Sequence, residues 1–404
     1  MPLPEAPMWE KQLARKDRLL AVSLEVTARC NNNCRHCYIN VPADSRKAKQ
    51  KELSFEKIKD IVDQACSLGA MWCLITGGEP LLRNDFEEIY IYLKKKGLLV
   101  SVFTNATLIN TSHIDLFKKW PPRNIDVTVY GVTEKTYEKV TQKPGSFNRF
   151  TRGLNLLLNA GIPVNLKTMA LKSNKNEFEQ IARFCRKKSN APFRFDPLLH
   201  LRLDGDQKRN QEIRNQRLTP KEITVLEQQD AIRFNAMKKG CDNLIHTALE
   251  GNGEPLIFRC GTGLGECVIG YDGTFRLCSS LMHPGCVFDL NTGSLTEALT
   301  GFVPVVRNMK SVSRDFLENC RKCPIVNLCH WCPAHAYLEK GRLDSPVSYF
   351  CDVANARKEN LEKKIGIRGQ RSGVRSQKTE DSSQESGVRR QERENRKQEI
   401  EKRR

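Results

Sequence analysis

Between Leu19 and His200 the chain alternates short apolar runs with longer amphipathic stretches. The runs at 19–26 (LLAVSLEV), 72–78 (WCLITGG), 98–105 (LLVSVFTN), 125–131 (IDVTVYG), 164–170 (VNLKTMA) and 193–199 (FRFDPLL) have strand length and read as β-strands. The gaps carry helical periodicity. Ile58, Ile61, Val62, Ala65 and Leu68 share one face of a helix that Ser54 caps and Gly69 stops. Asn84 is expected to open the next helix, and FNRFTRGLNLLLNAG ends another at Gly161. Strands alternating with helices predict a parallel sheet with right-handed crossovers. Six such units fall two short of a closed eightfold barrel. The expectation is an α/β fold, a partial (β/α)6 TIM-like barrel over 19–240, after an N-terminal extension at 1–18.

Beyond Leu201 the pattern changes. The chain turns polar to Asn243, with a helix expected after Thr219-Pro220. From Arg259 to Asp352 cysteine, glycine and proline dominate and long periodic segments vanish. A cysteine-rich domain over 241–364, dependent on bound metal for its fold, is expected. The stretch 365–404 is low in complexity, repeats SGVR, and carries 12 Lys/Arg against 7 Asp/Glu. It is read as a disordered basic tail.

Composition sharpens this picture in three ways. The 404 residues contain no apolar stretch near the roughly 18 needed to span a bilayer. The N-terminus lacks the apolar core of a signal peptide, so a cytoplasmic location is expected. Without an export signal, the 16 cysteines are more readily metal or cluster ligands than a disulfide framework. The net charge of +19 is only partly due to the tail. No aromatic-interleaved basic motif accompanies it, so a solvated basic surface, or a face for an acidic partner or anionic cofactor, is as good a reading as nucleic acid.

The tightest chemical signal is Cys30-x3-Cys34-x2-Cys37, just past the first strand. Three thiolates this close bind three irons of one cubane and leave the fourth open, whereas structural zinc wants four ligands. Thr76-Gly77-Gly78-Glu79-Pro80 ends the second strand. Its glycines permit close approach to the backbone, and its carboxylate suits an ammonium. Together these segments resemble the radical S-adenosylmethionine (radical SAM) superfamily. That resemblance implies a [4Fe–4S] cluster on Cys30, Cys34 and Cys37, with S-adenosylmethionine on its open iron. Gly77, Gly78 and Glu79 would then hold the methionine amino group. Thr104 and Asn105, after Phe103, would face the ribose, and Thr128 would lie near the carboxylate. Arg149 and Lys167 are candidates for the positive charge on that carboxylate. His36 would contact adenine, with Tyr38 on the other side of Cys37.

A second resemblance lies in the C-terminal block. Cys260-x12-Gly273-x4-Cys278, Cys320-x2-Cys323-x5-Cys329-x2-Cys332 and then Cys351 are similar to a SPASM domain, although the last spacing in the run is two residues instead of three. The resemblance implies two auxiliary [4Fe–4S] clusters. One would sit on Cys260, Cys267, Cys278 and Cys332, the other on Cys320, Cys323, Cys329 and Cys351. A zinc ribbon is the competing reading of the central run. Cys66 and Cys73 read as core thiols; Cys185, Cys241 and Cys286 show no partner. His330 and His335 lie among the cluster cysteines as possible outer donors.

The implied activity is reductive cleavage of S-adenosylmethionine to a 5′-deoxyadenosyl radical, under anaerobic conditions, driven by a low-potential donor such as ferredoxin or flavodoxin. Relatives with such a C-terminal domain mostly modify peptides or proteins; a small-molecule or haem-like substrate is the alternative. Sulfatase-maturing relatives carry an aspartate where this chain has Ser279, which argues against that reaction. Asp204, Asp206 and Asp272 are acid–base candidates, with exposed loop carboxylates as the alternative reading.

Overall fold

The computed structural model describes residues 19–189, 191–244 and 254–365, with backbone alone at 240–244 and 364–365. The expected N-terminal extension and, after Ile365, the expected tail lie outside the described residues. The six expected strands are all present: β1 (Ala21–Thr27), β2 (Trp72–Gly77), β3 (Leu99–Thr104), β4 (Asn124–Thr128), β5 (Val164–Met169) and β6 (Arg194–Asp196). They pair in parallel and in chain order. This is the partial barrel.

Successive side chains on a strand point to opposite faces. Val22, Cys73 and Val100 share one register row. It packs on the buried face of α1 (Phe55–Ser67), formed by Ile58, Ile61, Val62 and Ala65. The opposite face is unusual for a parallel sheet, which is normally apolar on both sides. Ser23, Glu25, Thr76, Asp126, Thr128, Lys167 and Asp196 all point inward with Leu74 and Phe103. A lumen lined this way is not filled by packing and is left for a polar occupant.

Helices cover the outer face. Ser54 caps α1 by accepting the Lys57 N–H, and Gly69 follows with φ of +96°. The next helix, α2 (Phe86–Lys95), starts two residues beyond Asn84. A single 3-10 turn at Pro80–Leu82 intervenes, and Asp85 is engaged by Arg83 at 2.8 and 2.6 Å. Then come α3 (Thr111–Lys119), α4 (Glu134–Thr141), α5 (Ser146–Asn159) and α6 (Phe178–Lys188). The polar region holds α7 (Gln207–Gln216), α8 (Pro220–Gln229) and α9 (Ala231–Leu244). Thr219 and Glu222 form a capping box at the start of α8. No helix among the described residues is long and apolar enough to cross a membrane.

The cysteine-rich block does not stand apart from the barrel sheet. Its first strand, β7 (Glu266–Ile269), pairs in parallel with β1. An antiparallel hairpin of β8 (Thr274–Arg276) and β9 (Val287–Asp289) follows, giving one nine-stranded sheet. Buried ion pairs fasten the block. Arg276 on β8 holds Glu25 on β1. Arg357, on the final helix α11 (Ser348–Ile365), holds Glu227 on α8 and donates to the Leu328 carbonyl.

One close approach fixes the third strand end. A Cβ on Gly153 of α5 would lie 1.9 Å from the Ala106 carbonyl oxygen, just after Asn105. Gly153→Ala should therefore destabilise the protein by about 3 kcal/mol, read as a lower urea midpoint. Gly301→Ala, where a Cβ meets nothing within 4 Å, should leave the midpoint within about 0.5 kcal/mol of the parent. Equal midpoints for the two variants would disprove the packing argument.

Candidate functional site

The three N-terminal cysteines lie on a loop that leaves β1 after a register slip between Glu25 and Thr27. Its start makes a two-residue parallel ladder, Arg29–Cys30 with Val41–Pro42. The Gly-Gly-Glu turn clamps it from one side: the Gly78 N–H donates to the Thr27 carbonyl at 2.7 Å and the Glu79 N–H to the Arg29 carbonyl at 2.8 Å. A Cβ on Gly77 would sit 2.1 Å from the Thr27 oxygen, and one on Gly78 would sit 2.2 Å from the Arg29 oxygen. These glycines are thus required by backbone packing against the cysteine loop. From the other side, Arg202 donates to the Asn40 carbonyl at 2.8 Å, and Arg209 of α7 donates to the Cys34 carbonyl at 2.9 Å.

A cleft of about 340 Å³ opens above the loop, lined by Cys30, Cys34, Cys37, His36, Gly77, Gly78, Thr104, Asn105, Thr128 and Lys167. These are nearly all the residues expected there. Asn105 donates to Asn31 at 2.9 Å and approaches the Cys30 sulfur at 3.7 Å. Burial pushes the Cys30 thiol up to about 12, helped by the Glu79 charge. Cys34 is pushed up by burial and then by Cys37 and Cys30. Burial lowers His36 to about 4. Burial also lowers Lys167 to about 8, against the pull of Asp126; its Nζ stands 3.1 Å from the Phe103 ring centroid.

Two expected residues sit elsewhere. Glu79 is fully buried behind the cleft and does not line it. Its oxygens accept from the Thr104 hydroxyl at 2.7 Å, the Asn105 N–H at 2.7 Å and the Leu81 N–H at 3.2 Å, so it organises the third strand end. Burial raises it to about 7. Arg149 donates to the Pro144 carbonyl at the start of α5, outside the cleft lining. The loop carboxylates are also structural: Asp204 pairs with Arg202, Asp206 caps α7, and Asp272 accepts from Thr274.

Residues that the sequence did not reveal complete the wall. Tyr130 packs edge-on against His36 at 5.1 Å, and Asn32, Met169, Asp196, Leu199 and His200 line the cleft. Tyr130 lies two residues beyond β4, so its position was available as a signal. His200 lies in no motif. It hydrogen-bonds Ser280 at 2.6 Å and His335 at 3.0 Å, joining the cleft to α10 (Pro333–Lys340).

A second chamber of about 480 Å³ shares Tyr38, Thr76 and Phe103 with the cleft and reaches Cys278 and Ser279. Around it the C-terminal thiols fall into two neighbourhoods. Cys332 is near Cys278 and Cys260; Cys320 is near Cys351, Cys329 and Cys323. The second group lines another cavity of about 540 Å³, whose wall also includes Cys260 and Cys332 of the first. Cys267 lines the 480 Å³ chamber with Cys278, but neither neighbourhood includes it. Its register row on β7 is that of Val22 and Cys73, facing the helices, and its one charged neighbour is Glu266. Cys286, unassigned from sequence, lies near Cys278. Among the described residues no three His, Cys, Asp or Glu side chains converge tightly enough for a single metal ion. Cys66 is half-buried, and Cys73 and Cys185 are buried core thiols; the Cys241 side chain lies outside the described residues.

The donor set fits the implied cofactors. Cys30, Cys34 and Cys37 line one cleft, whose wall includes two polar groups without partners in the structure, the Asn32 amide and the His36 Nδ1. Residues 24–185 match the family described as the Radical SAM superfamily. Over 156 residues the chain is 31% identical to the AdoMet-dependent heme synthase of Methanosarcina barkeri, covering 39% of this chain and 44% of that one. It is 29% identical to the subtilosin biosynthesis protein AlbA of Bacillus subtilis, covering 41% of this chain and 37% of that one. The chain thus spans less than half the length of these curated relatives. Streptococcus suis SuiB, solved bound to its precursor peptide SuiA, superposes with a TM-score of 0.61 at 13% identity, over 83% of this chain and 76% of that one. That likeness is one of fold. The cysteine loop, the Gly-Gly-Glu turn and the cleft between them all fall within the segment that matches, so residues 24–185 are similar to the Radical SAM superfamily.

Proposed function

We propose that the chain splits S-adenosylmethionine and applies the resulting radical to a peptide or protein substrate, with two auxiliary clusters in its C-terminal block. The observation that carries this reading is the run of space from the cysteine loop, through the shared Tyr38, Thr76 and Phe103, to Cys278. Cys30, Cys34 and Cys37 would hold a [4Fe–4S] cluster, which when bound supplies the electron that breaks the sulfonium C5′–S bond. The chain's own residues bind, orient and exclude water. Gly77, Gly78, Thr104, Asn105 and Thr128 would flank the cofactor, and His36 with Tyr130 would pack on its adenine. Lys167, not Arg149, would answer its carboxylate. Cys260, Cys278 and Cys332 would hold the first auxiliary cluster with one iron open, and Cys320, Cys323, Cys329 and Cys351 the second. A ferredoxin or flavodoxin would be the electron source.

The substrate chamber supports a peptide over a tetrapyrrole. Its lining carries two carboxylates, Glu25 and Glu266. Arg276 beside it is already engaged by Glu25 and by the Ser279 carbonyl. Among the described residues lining the chamber there is no cation to meet a carboxylate-bearing tetrapyrrole. The heme synthase relative favours the other reading, but its match covers 39% of this chain, whereas the fold shared with SuiB covers 83%. Anaerobic incubation with small peptides encoded beside the gene, against iron coproporphyrin, tests the choice by mass spectrometry. A mass change on the porphyrin alone would overturn the peptide reading.

Anaerobically reconstituted protein should carry about twelve irons per chain, and replacing Cys30, Cys34 and Cys37 together by Ala should remove about a third. Iron near four in the parent would refute the auxiliary clusters. Lys167 gives a pH signature. Its free-protein pKa of about 8 leaves it charged below that pH and neutral above. Affinity for S-adenosylmethionine should therefore hold up to pH 7.5 and fall above pH 8, by up to about tenfold per unit. Lys167→Met should weaken binding and flatten the profile; an unchanged profile, followed by equilibrium dialysis, would remove Lys167 from the site.

A further inference from the structure

The outer side of the cysteine loop reaches the surface. Cys34 is buried, but Asn33 and Arg35 beside it are exposed. The loop docks on the last turn of α4: the Asn33 N–H donates to the Thr141 carbonyl at 2.8 Å and the Arg35 N–H to the Val140 carbonyl at 3.2 Å. Only the thickness of this loop therefore separates the thiols from solvent on that side. The surface around it is basic. Arg35, Lys139 and Lys143 are exposed. The Arg35 guanidinium donates to the neutral Gln142 side chain at 2.9 Å, and no described carboxylate forms an ion pair with any of the three. The acid on this turn, Glu138, accepts from the Phe147 N–H.

Near the C-terminal thiols the charges are mixed, for the exposed Arg259 beside Cys260 has another cation, Arg321, as its charged neighbour. By the second C-terminal group, Lys322 pairs with Glu318 at 2.8 Å. Over α1, Lys57 and Lys59 pair with Asp60 and Glu56. Arg35, Lys139 and Lys143 thus gather beside the loop that carries Cys30, Cys34 and Cys37.

We propose that the face formed by Arg35, Lys139 and Lys143 is the docking surface for an acidic one-electron carrier. The inference rests on the radical reading above. In the step served, the reduced carrier loses one electron, and that electron breaks the C5′–S bond to give methionine and the 5′-deoxyadenosyl radical; no proton moves. Complementary charge raises the encounter rate and weakens with salt.

The test uses the full cluster-loaded chain and S-adenosylmethionine without added substrate. 5′-Deoxyadenosine is measured with two reductants, flavodoxin recycled by its NADPH-dependent reductase, and dithionite. The readout is the ratio of the two rates, which cancels any loss of cluster. Lys139→Glu with Lys143→Glu should lower that ratio by about fivefold or more. Raising salt from about 50 to about 300 mM should lower the parent ratio but scarcely the variant's. An unchanged ratio, or a larger fall on Lys322→Glu, overturns the docking surface. Absence of 5′-deoxyadenosine with either reductant in the parent instead removes the radical reading, and this inference with it.

Discussion

The contact on which the site depends is the one between the Gly-Gly-Glu turn and the chain leading into the cysteines. Two N–H groups at the end of β2 donate to carbonyls at the end of β1, and two missing Cβ atoms let the backbones meet. A side chain at Gly77 or Gly78 would force backbone against backbone, and neither partner can move without moving a strand. The cysteine loop is therefore placed by the sheet itself, not by its own sequence. Glu79 continues the same construction one strand further by holding Thr104 and Asn105. Three consecutive strand ends are thus locked together before any cofactor is considered.

The polar lumen explains why the molecule needs so much fastening elsewhere. A parallel barrel normally gains stability from both faces of each strand. Here the inward face carries Glu25, Asp126, Lys167 and Asp196, and the apolar burial comes from the helical side. Ion pairs between distant segments compensate at the seams. Arg276 meets Glu25 across the β1 edge, Arg357 meets Glu227, and Arg217 meets Glu339. Removing one partner of such a pair leaves a buried charge, typically at about 3–5 kcal/mol.

Much of this was legible in the amino-acid order. The six strands, the Ser54 cap, the helix after Thr219 and the cysteine triad follow from local pattern, because period, caps and glycines act over a few residues, while most of the cleft lining came from the family resemblance. What escaped acts over long separations. Arg202 and Arg209 grip a loop more than a hundred residues upstream, and a polar stretch gives no sign of it. His200 matters only because Ser280 and His335 arrive beside it. Glu79 and Arg149 were expected to face a ligand, yet each has backbone partners nearer to hand. Cys267 has ligand-like spacing, but its strand register turns it toward the helices. Spacing along a chain cannot report which face of a sheet a residue takes.

The pairing of β7 with β1 has a consequence for how the chain is made. Ala21 lies opposite Glu266, so β1 waits for a strand made long after it. During that interval β1 has an open edge, the kind of surface on which chains aggregate. Contacts this remote in sequence also slow the final search. A nascent barrel halted before β7 would remain vulnerable however well its six strands had already formed, which makes synthesis of the cysteine-rich block the step that ends the exposure.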